Sequence, residues 1–145
     1  MTTVVDIFAD FAINDTKSKD GVWVPYRGDV EFLLARSGNK NFRKQAQALM
    51  GRNRRVLDMK DGNGNSTDEA EAKLTEIMIE IMAQTVLLGW KGNLQFQGNP
   101  LEYSVDNAKK LLKIDSFRDM ISGMASDEQR YKEVQEVEEA KNSEK

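Results

Sequence analysis

The residues that could carry chemistry in this chain are carboxylates and cations, because the sequence contains no cysteine and no histidine. Without these residue types, a disulfide, a thiol nucleophile, a zinc–thiolate site and a serine–histidine catalytic pair are excluded. Glu69, Glu76 and Glu80 lie at helical spacing and could act as acid/base carboxylates. The same spacing describes a solvated helix face, and nothing nearby indicates a raised pKa. We therefore expect a protein that is not an enzyme, with no catalytic residue and no cofactor.

A loop rich in glycine and asparagine resembles the start of a calcium-binding EF-hand loop. Asp61, Asn63 and Asn65 occupy its first, third and fifth ligand positions. Ser66 then stands where the sharp turn needs glycine, and Ala72 stands where the bidentate glutamate belongs. We expect no metal site here and interpret these residues as a flexible loop before a capped helix.

The cations concentrate in residues 43–55, although the whole chain has a formal net charge of -3. This basic segment could contact nucleic acid, and Phe42 could stack on a base. The acidic remainder of the chain argues against that function, because nucleic-acid binding usually needs a net basic domain. A solvated helix face, or a patch that meets an acidic partner such as the C-terminal helix of a neighbouring copy, explains the same residues.

The methionines suggest where a protein partner could bind, since seven is a high number for 145 residues. Several lie at helical positions expected to be apolar: Met78, Met82, Met120 and Met124. Ordinary core is the usual explanation, but methionine also suits surfaces that accept several apolar partners. Our candidates for partner binding are Met82, Leu87, Leu88 and Trp90, and each of them could equally belong to the core.

These four candidates lie at the end of the longest helical pattern, a predicted central helix over about residues 66–89. Ser66 and Glu69 form a capping box at its start, and apolar residues recur at spacings of three and four. Gly89 is a natural place for it to stop. The last turns are apolar nearly all round, which is typical of a helix that enters a core or an interface.

A β-hairpin and further helices surround this element. Residues 22–26 and 30–36 predict two strands joined at Arg27-Gly28-Asp29, with Pro25 favouring an edge position for the first. We interpret the match to the Arg-Gly-Asp adhesion tripeptide as chance. Residues 39–50 predict a helix capped by Asn39 and ended by Gly51. Residues 94–103 predict a second small hairpin around Gly-Asn-Pro, and Ser104 predicts the next helix start.

Further helices are expected from residues 115 or 116 and from residue 126. Residues 4–13 fit helix and strand almost equally, with a slight preference for extended structure. We predict a mainly α fold with a small β-hairpin (α+β), comprising a weakly specified segment (residues 1–20), one domain (residues 21–137) and a charged, disordered tail (residues 138–145). The sequence shows neither a signal peptide nor a bilayer-spanning segment, so we expect no membrane association and a cytoplasmic protein.

Several of these residue runs resemble a known family, the tail assembly chaperones of long-tailed bacteriophages. Gly-Val-Trp-Val at residues 21–24, followed by residues 31–39, is similar to the N-terminal half of that family. Leu-Leu-Gly-Trp-Lys-Gly at residues 87–92 and Gly-Asn-Pro-Leu-Glu-Tyr-Ser at residues 98–104 resemble the second half in order and spacing. The resemblance covers about residues 21–142, and none of its motifs is catalytic.

The resemblance implies a small protein of the host bacterial cytoplasm that is made during virion assembly. Such a chaperone binds the long helical tape measure protein, keeps it soluble and assists polymerisation of the tail-tube protein around it. Members tend to self-associate, and a longer form is often made by programmed frameshifting. Two alternatives stay open: a structural tail or virion component, and a small nucleic-acid-binding regulator that uses residues 43–55.

Overall fold

The computed structural model describes residues 3–133, and these residues form a mainly helical fold with a small antiparallel sheet, as predicted. The helices are α1 Ile7–Phe11, α2 Asp15–Asp20, α3 Lys40–Arg52, α4 Arg54–Leu57, α5 Asp68–Thr85, α6 Val105–Leu112 and α7 Asp115–Ala125. The strands are β1 Val22–Pro25, β2 Glu31–Leu34, β3 Leu87–Lys91, β4 Gln95–Phe96 and β5 Asn99–Pro100, and a 3-10 turn covers Glu128–Tyr131.

The sheet contains the predicted N-terminal hairpin and one strand that we did not predict. Its order is β1-β2-β3, with both pairs antiparallel, so β1 lies at an edge as Pro25 suggested. Trp23 pairs with Leu33, and Leu33 pairs with Gly89. Paired residues of an antiparallel sheet share a face. These three residues therefore lie on one face, and Val24, Phe32 and Trp90 lie on the other, buried face.

The predicted central helix is wrong at its C-terminal end, because α5 stops at Thr85 and residues 87–91 form β3. At Val86 the backbone leaves the helical conformation (φ -121°, ψ -60°). The Val86 carbonyl then accepts a hydrogen bond from the Ala35 N–H at 2.9 Å. Pairing with β2 satisfies the backbone that follows and buries Leu87 in the core. The start also differs by one residue, since the Thr67 hydroxyl, rather than Ser66, caps α5 by accepting the Ala70 N–H.

α5 lies at the centre of the fold. It packs against α3 and α4, against α6 and against β3. The core forms where the buried face of the sheet meets α5, α6 and α7, and it includes Phe32, Ile79, Leu112 and Ile121. This arrangement is the layer of helices on one side of an antiparallel sheet that an α+β fold requires.

The predicted second hairpin is confirmed as β4 and β5, although its turn lies at Gln97 and Gly98 rather than at Gly-Asn-Pro. Both turn residues have positive φ. The predicted caps Asn39 and Ser104 are confirmed, because each side chain accepts the N–H of the residue three positions later. α3 continues through Gly51 and ends at Arg52.

The N-terminal segment is helical at Ile7–Phe11, so the slight preference for extended structure was wrong there. The Asp6 carboxylate decides this, since it caps the helix by accepting the N–H groups of Phe8 and Ala9. At the other end, the helix predicted from residue 126 begins as a 3-10 turn capped by Asp127. The rest of that helix and the charged tail at residues 138–145 lie outside the described residues.

Candidate partner-binding surfaces

The four predicted partner-binding residues have mostly structural positions. Met82, Leu87 and Trp90 are buried in the hydrophobic core, and Leu88 is half-buried. Met82, Leu87 and Trp90 are therefore core residues in this conformation, which was the alternative interpretation of these side chains. Leu88 is the one of the four whose side chain keeps substantial access to solvent.

Trp90 joins β3 to the segment that leads into α6. Its indole N–H donates a hydrogen bond to the Leu101 carbonyl oxygen at 2.9 Å. Its ring meets the Tyr103 ring edge to face, with centroids 5.0 Å apart, and contacts the Phe32 ring at 6.5 Å on the core side. Edge-to-face aromatic pairs add to the stabilisation from burial alone.

The two motifs of the second half of the resemblance contact each other. Besides the bond from Trp90 to Leu101, the Tyr103 hydroxyl donates to the Leu87 carbonyl oxygen at 2.9 Å. A shallow cleft of about 270 Å³ lies between the two motifs. Their order and spacing in the sequence thus correspond to one structural unit.

The Arg-Gly-Asp turn is held against this unit by its aspartate. The Asp29 carboxylate accepts the Asn93 N–H at 2.9 Å and the Asn93 side-chain amide at 3.1 Å. Gly92 makes the approach possible, since a Cβ at this position would lie 2.2 Å from the Asp29 carbonyl oxygen. The positive φ of Gly92, 96°, also favours glycine. These contacts give Asp29 a structural role, in agreement with our interpretation of the tripeptide as a turn.

The face of the sheet opposite the core, which we call the outer sheet face, carries Trp23, Leu33, Gly89 and Lys91. Trp23 is 43% exposed, and the Lys91 ammonium lies over its ring, 4.3 Å from the centroid. A Cβ on Gly89 would contact both Leu33 (3.5 Å) and Trp23 (3.9 Å). The glycine of the Leu-Leu-Gly-Trp motif therefore lies beneath the exposed tryptophan.

Sequence reasoning did not select Trp23, although a signal was present. In a strand with one buried face, residues alternate between the core and solvent. Val24 is 1% exposed and lies inside, so its neighbour Trp23 must face outward. The hairpin was predicted, and the alternation follows from it.

A second exposed apolar region, which we call the N-terminal apolar segment, comprises Val4, Val5, Ile7, Phe8 and Phe11. Their exposed fractions run from 63% for Ile7 to 87% for Val4. The Lys132 ammonium lies 5.9 Å from the Phe11 ring centroid. Exposed apolar patches of this kind mark interaction sites more often than scattered surface residues do.

The predicted basic cluster (residues 43–55) is exposed on α3 and α4, and together with Lys40 and Lys60 on either side of it we call it the basic surface. It comprises Lys40, Arg43, Lys44, Arg52, Arg54, Arg55 and Lys60, all of which are exposed. Within residues 3–133, none of these cations forms a salt bridge. Phe42, which we considered for base stacking, is half-buried against the core instead.

Two of the three candidate carboxylates, Glu76 and Glu80, take part in surface ion pairs, and Glu69 is exposed. Glu80 lies 2.6 Å from the Lys109 ammonium, and Glu76 lies 3.4 Å from that of Lys73. The hydrogen bond that the Lys109 ammonium donates to the Glu80 carboxylate raises the pKa of Lys109, as expected for a stabilised ammonium. Beside this pair, a cleft of about 600 Å³ runs between α5 and α6.

In the loop after α4, the Asp61 carboxylate is hydrogen-bonded by backbone N–H groups of the same loop. Asp61 Oδ1 accepts the N–H groups of Asn63 (2.8 Å) and Asn65 (3.0 Å). Over the described part of the chain, no three carboxylate side chains come together as metal ligands would. None of the helices in that part combines the length and the hydropathy that crossing a membrane requires.

Comparison with known proteins places the chain near one family. A sequence model described as YdaY prophage protein matches residues 37–142. No curated protein and no solved structure matches the chain. The matched residues include the basic surface, α5, β3 and both motifs of the second half of the resemblance.

Proposed function

The chain belongs to the YdaY prophage protein family and is of phage origin, and from this premise we propose that it is a non-enzymatic tail assembly chaperone. In this proposal it binds the tape measure protein in the host cytoplasm, keeps it soluble and assists tail-tube polymerisation. Support comes from the resemblance of residues 87–92 and 98–104 to that class of chaperone, together with their direct contact in the fold.

The observation that carries the proposal is the exposure of Trp23 over Gly89 on the outer sheet face. Tryptophan is enriched at the energetic centres of protein interfaces because it buries a large area with few rotatable bonds. Gly89 belongs to the Leu-Leu-Gly-Trp motif and lies next to Trp23 and Leu33, since a Cβ on Gly89 would be in ordinary van der Waals contact with both side chains. The motif thus supports an exposed aromatic residue.

The outer sheet face fits a partner that presents an apolar helix face with polar groups at its edge. A tape measure protein exposes long amphipathic helices before the tube encloses them, and such surfaces aggregate. One apolar helix face laid across Trp23 and Leu33 would bury both side chains. Lys91 and Glu31, which form a salt bridge of 3.2 Å on the same strands, would meet polar groups at the rim.

The proposal assigns the contact to other residues than the four named from the sequence. Leu88 keeps access to solvent but has no pairing partner in the sheet, so it is not assigned to the outer sheet face. Met82, Leu87 and Trp90 act indirectly in this proposal, because their burial holds β3 in the sheet. Trp23 and Leu33 take their place as the side chains that touch the partner.

Co-expression with the tape measure protein of the same prophage tests the proposal. We expect wild-type chain to raise the soluble fraction of the tape measure protein and to copurify with it. Trp23→Asp should lose both effects. Leu74→Asp on α5 is the matched control, because Leu74 is also 43% exposed. Equal activity of the two variants, or stable incorporation of the protein into purified virions, would count against a chaperone acting through this face.

A second candidate function rests on the basic surface, whose cations form no salt bridge within residues 3–133. A nucleic-acid regulator would use them to neutralise phosphates, and its affinity would fall steeply with salt. A mobility-shift assay at low salt, with Arg54→Glu/Arg55→Glu as the comparison, separates the two functions. A shift that the variant loses would favour the regulator.

A further inference from the structure

The N-terminal apolar segment places five large side chains in solvent within eight residues. Phe8 is 74% exposed and Phe11 is 64% exposed. A five-residue helix is far too short to be stable from its backbone hydrogen bonds alone. Covering these side chains would be favourable, because it removes apolar surface from water. Burial of these side chains would therefore favour docking of the segment against another surface.

α3 and α4 also carry apolar side chains that are not fully covered. Their 13 and 4 residues include no buried side chain, although both helices pack against α5. Leu49, Met50, Val56 and Leu57 are only half-buried, and Met59 just beyond α4 is 38% exposed. The apolar side of these helices is thus incompletely covered within one copy.

The charges of the two regions are opposite. Residues 3–13 contain Asp6 and Asp10 and no cation, whereas residues 40–60 contain seven cations and one carboxylate, Asp58. Asp6 caps α1, and Asp10 is exposed. Two N-terminal segments packed against each other would bring like charges together, which is destabilising. A segment packed on the basic surface would bring opposite charges together.

We propose that the N-terminal apolar segment of one copy docks on the basic surface of a second copy, with Phe8 and Phe11 against the half-buried side chains of α3 and α4. The two surfaces differ, so each copy both gives and receives a segment. Such contacts produce a dimer when two copies exchange segments reciprocally, and otherwise closed rings or open filaments. One short segment supplies the whole donor surface, so we expect a contact below the roughly 800 Å² per partner of a standard stable complex and an association that is weak and concentration-dependent.

The central experiment is sedimentation of the full chain over a range of concentrations up to about 200 µM, a range suited to weak complexes. We expect wild type to form dimers or larger species and to dissociate as salt rises, since exposed charges are screened. Phe8→Asp removes the donor surface, and Arg54→Glu/Arg55→Glu removes the acceptor surface. Each variant alone should remain monomeric.

Mixing the two variants gives the sharpest test, because each keeps one intact half of the contact. The mixture should form a complex of one copy of each and nothing larger. Lys110→Glu/Lys113→Glu, at the C-terminal end of α6 and at its C-cap, is the charge control and should associate as wild type does. Circular dichroism and urea denaturation should show all variants folded, which is expected because the altered side chains are exposed or half-exposed.

Several outcomes would overturn the inference. These are a monomeric wild type throughout the range, unchanged association of either variant alone, and failure of the folded variants to combine. Loss of a nucleic-acid mobility shift in Arg54→Glu/Arg55→Glu, with self-association intact, would assign the basic surface to nucleic acid instead. The measurement uses no tape measure protein, so its failure is distinct from failure of the proposed function.

Discussion

The indole N–H of Trp90 donates to the carbonyl oxygen of Leu101 across a distance of 2.9 Å. The bond joins β3, the strand that the sequence did not predict, to the chain that enters α6. It also places an aromatic residue of one motif against the backbone of the other. Trp90 is therefore a residue that holds the two motifs together, and its contribution should be measurable as stability.

Replacing Trp90 by phenylalanine should destabilise the fold by about 1–3 kcal/mol. The substitution removes the hydrogen bond to Leu101, leaves a carbonyl oxygen without this donor and reduces the contact with Tyr103. Urea denaturation followed by circular dichroism measures the change. Trp23→Phe is the control and should cost about 0.5 kcal/mol or less, since the side chain is exposed. Equal losses in the two variants would contradict the role assigned to Trp90.

Replacing Gly92 by alanine should cost more than about 3 kcal/mol. The new Cβ would overlap the Asp29 carbonyl oxygen, and the positive φ adds strain to any other residue. Gly28→Ala provides the comparison, because Gly28 also has a positive φ but no atom lies within 4 Å of the place that a Cβ would occupy. That variant should lose only about 1 kcal/mol. Similar unfolding midpoints would show that the close approach to Asp29 does not matter.

Asn39 should contribute more than an ordinary helix cap. Its Oδ1 accepts the Phe42 N–H, while its amide donates to the carbonyl oxygens of Arg36 (2.7 Å) and Thr85 (2.9 Å). The side chain is 3% exposed, so Asn39→Ala should cost about 2–4 kcal/mol. Ser104→Ala, which removes a cap alone, should cost about 1 kcal/mol. A thermal unfolding shift no larger for Asn39→Ala than for Ser104→Ala would refute this difference.

Tyr131 should make the fold sensitive to alkaline pH. Burial raises the pKa of its hydroxyl to about 12, and the hydroxyl donates to the Leu34 carbonyl oxygen at 3.1 Å. In the unfolded chain this group titrates near pH 10, so the folded state holds the proton more tightly. Its stabilisation is complete below about pH 10 and is lost as pH rises towards about 12.

The corresponding measurement compares unfolding free energies at pH 9 and pH 11. Tyr131→Phe should be less stable than wild type at pH 9, by about 1 kcal/mol for the lost hydrogen bond. It should lose less stability than wild type between the two pH values. Tyr26→Phe, at an exposed position, controls for the general effect of alkaline pH. An unchanged pH dependence in Tyr131→Phe would contradict the prediction.

Local signals in the sequence were sufficient for the hairpin and for most helix starts. Val22 to Pro25 and the strand after the Arg-Gly-Asp turn formed as predicted, because β-branched residues and a proline constrain the backbone directly. Asn39 and Ser104 capped the expected helices for the same local reason. Each of these features depends on residues within a few positions of one another.

β3 could not be predicted in the same way. Leu87 and Leu88 continue the apolar pattern of α5, and a short apolar run fits a buried helix and a buried strand equally. The choice is made by a distant segment, since β2 supplies the backbone partners that draw residues 87–91 out of the helix. The same pairing buries Leu87 and Trp90, two of the four residues that the sequence suggested for partner binding.

The most direct test of the proposed chaperone is tryptophan fluorescence during titration with a soluble fragment of the tape measure protein. The protein contains two tryptophans, and Trp23 is exposed while Trp90 is 8% exposed. Binding on the outer sheet face should shift the emission to shorter wavelength and protect it from acrylamide quenching. Trp23→Phe should abolish that change. Binding that leaves Trp23 emission unaltered, or no binding by a folded wild-type chain, would contradict the account.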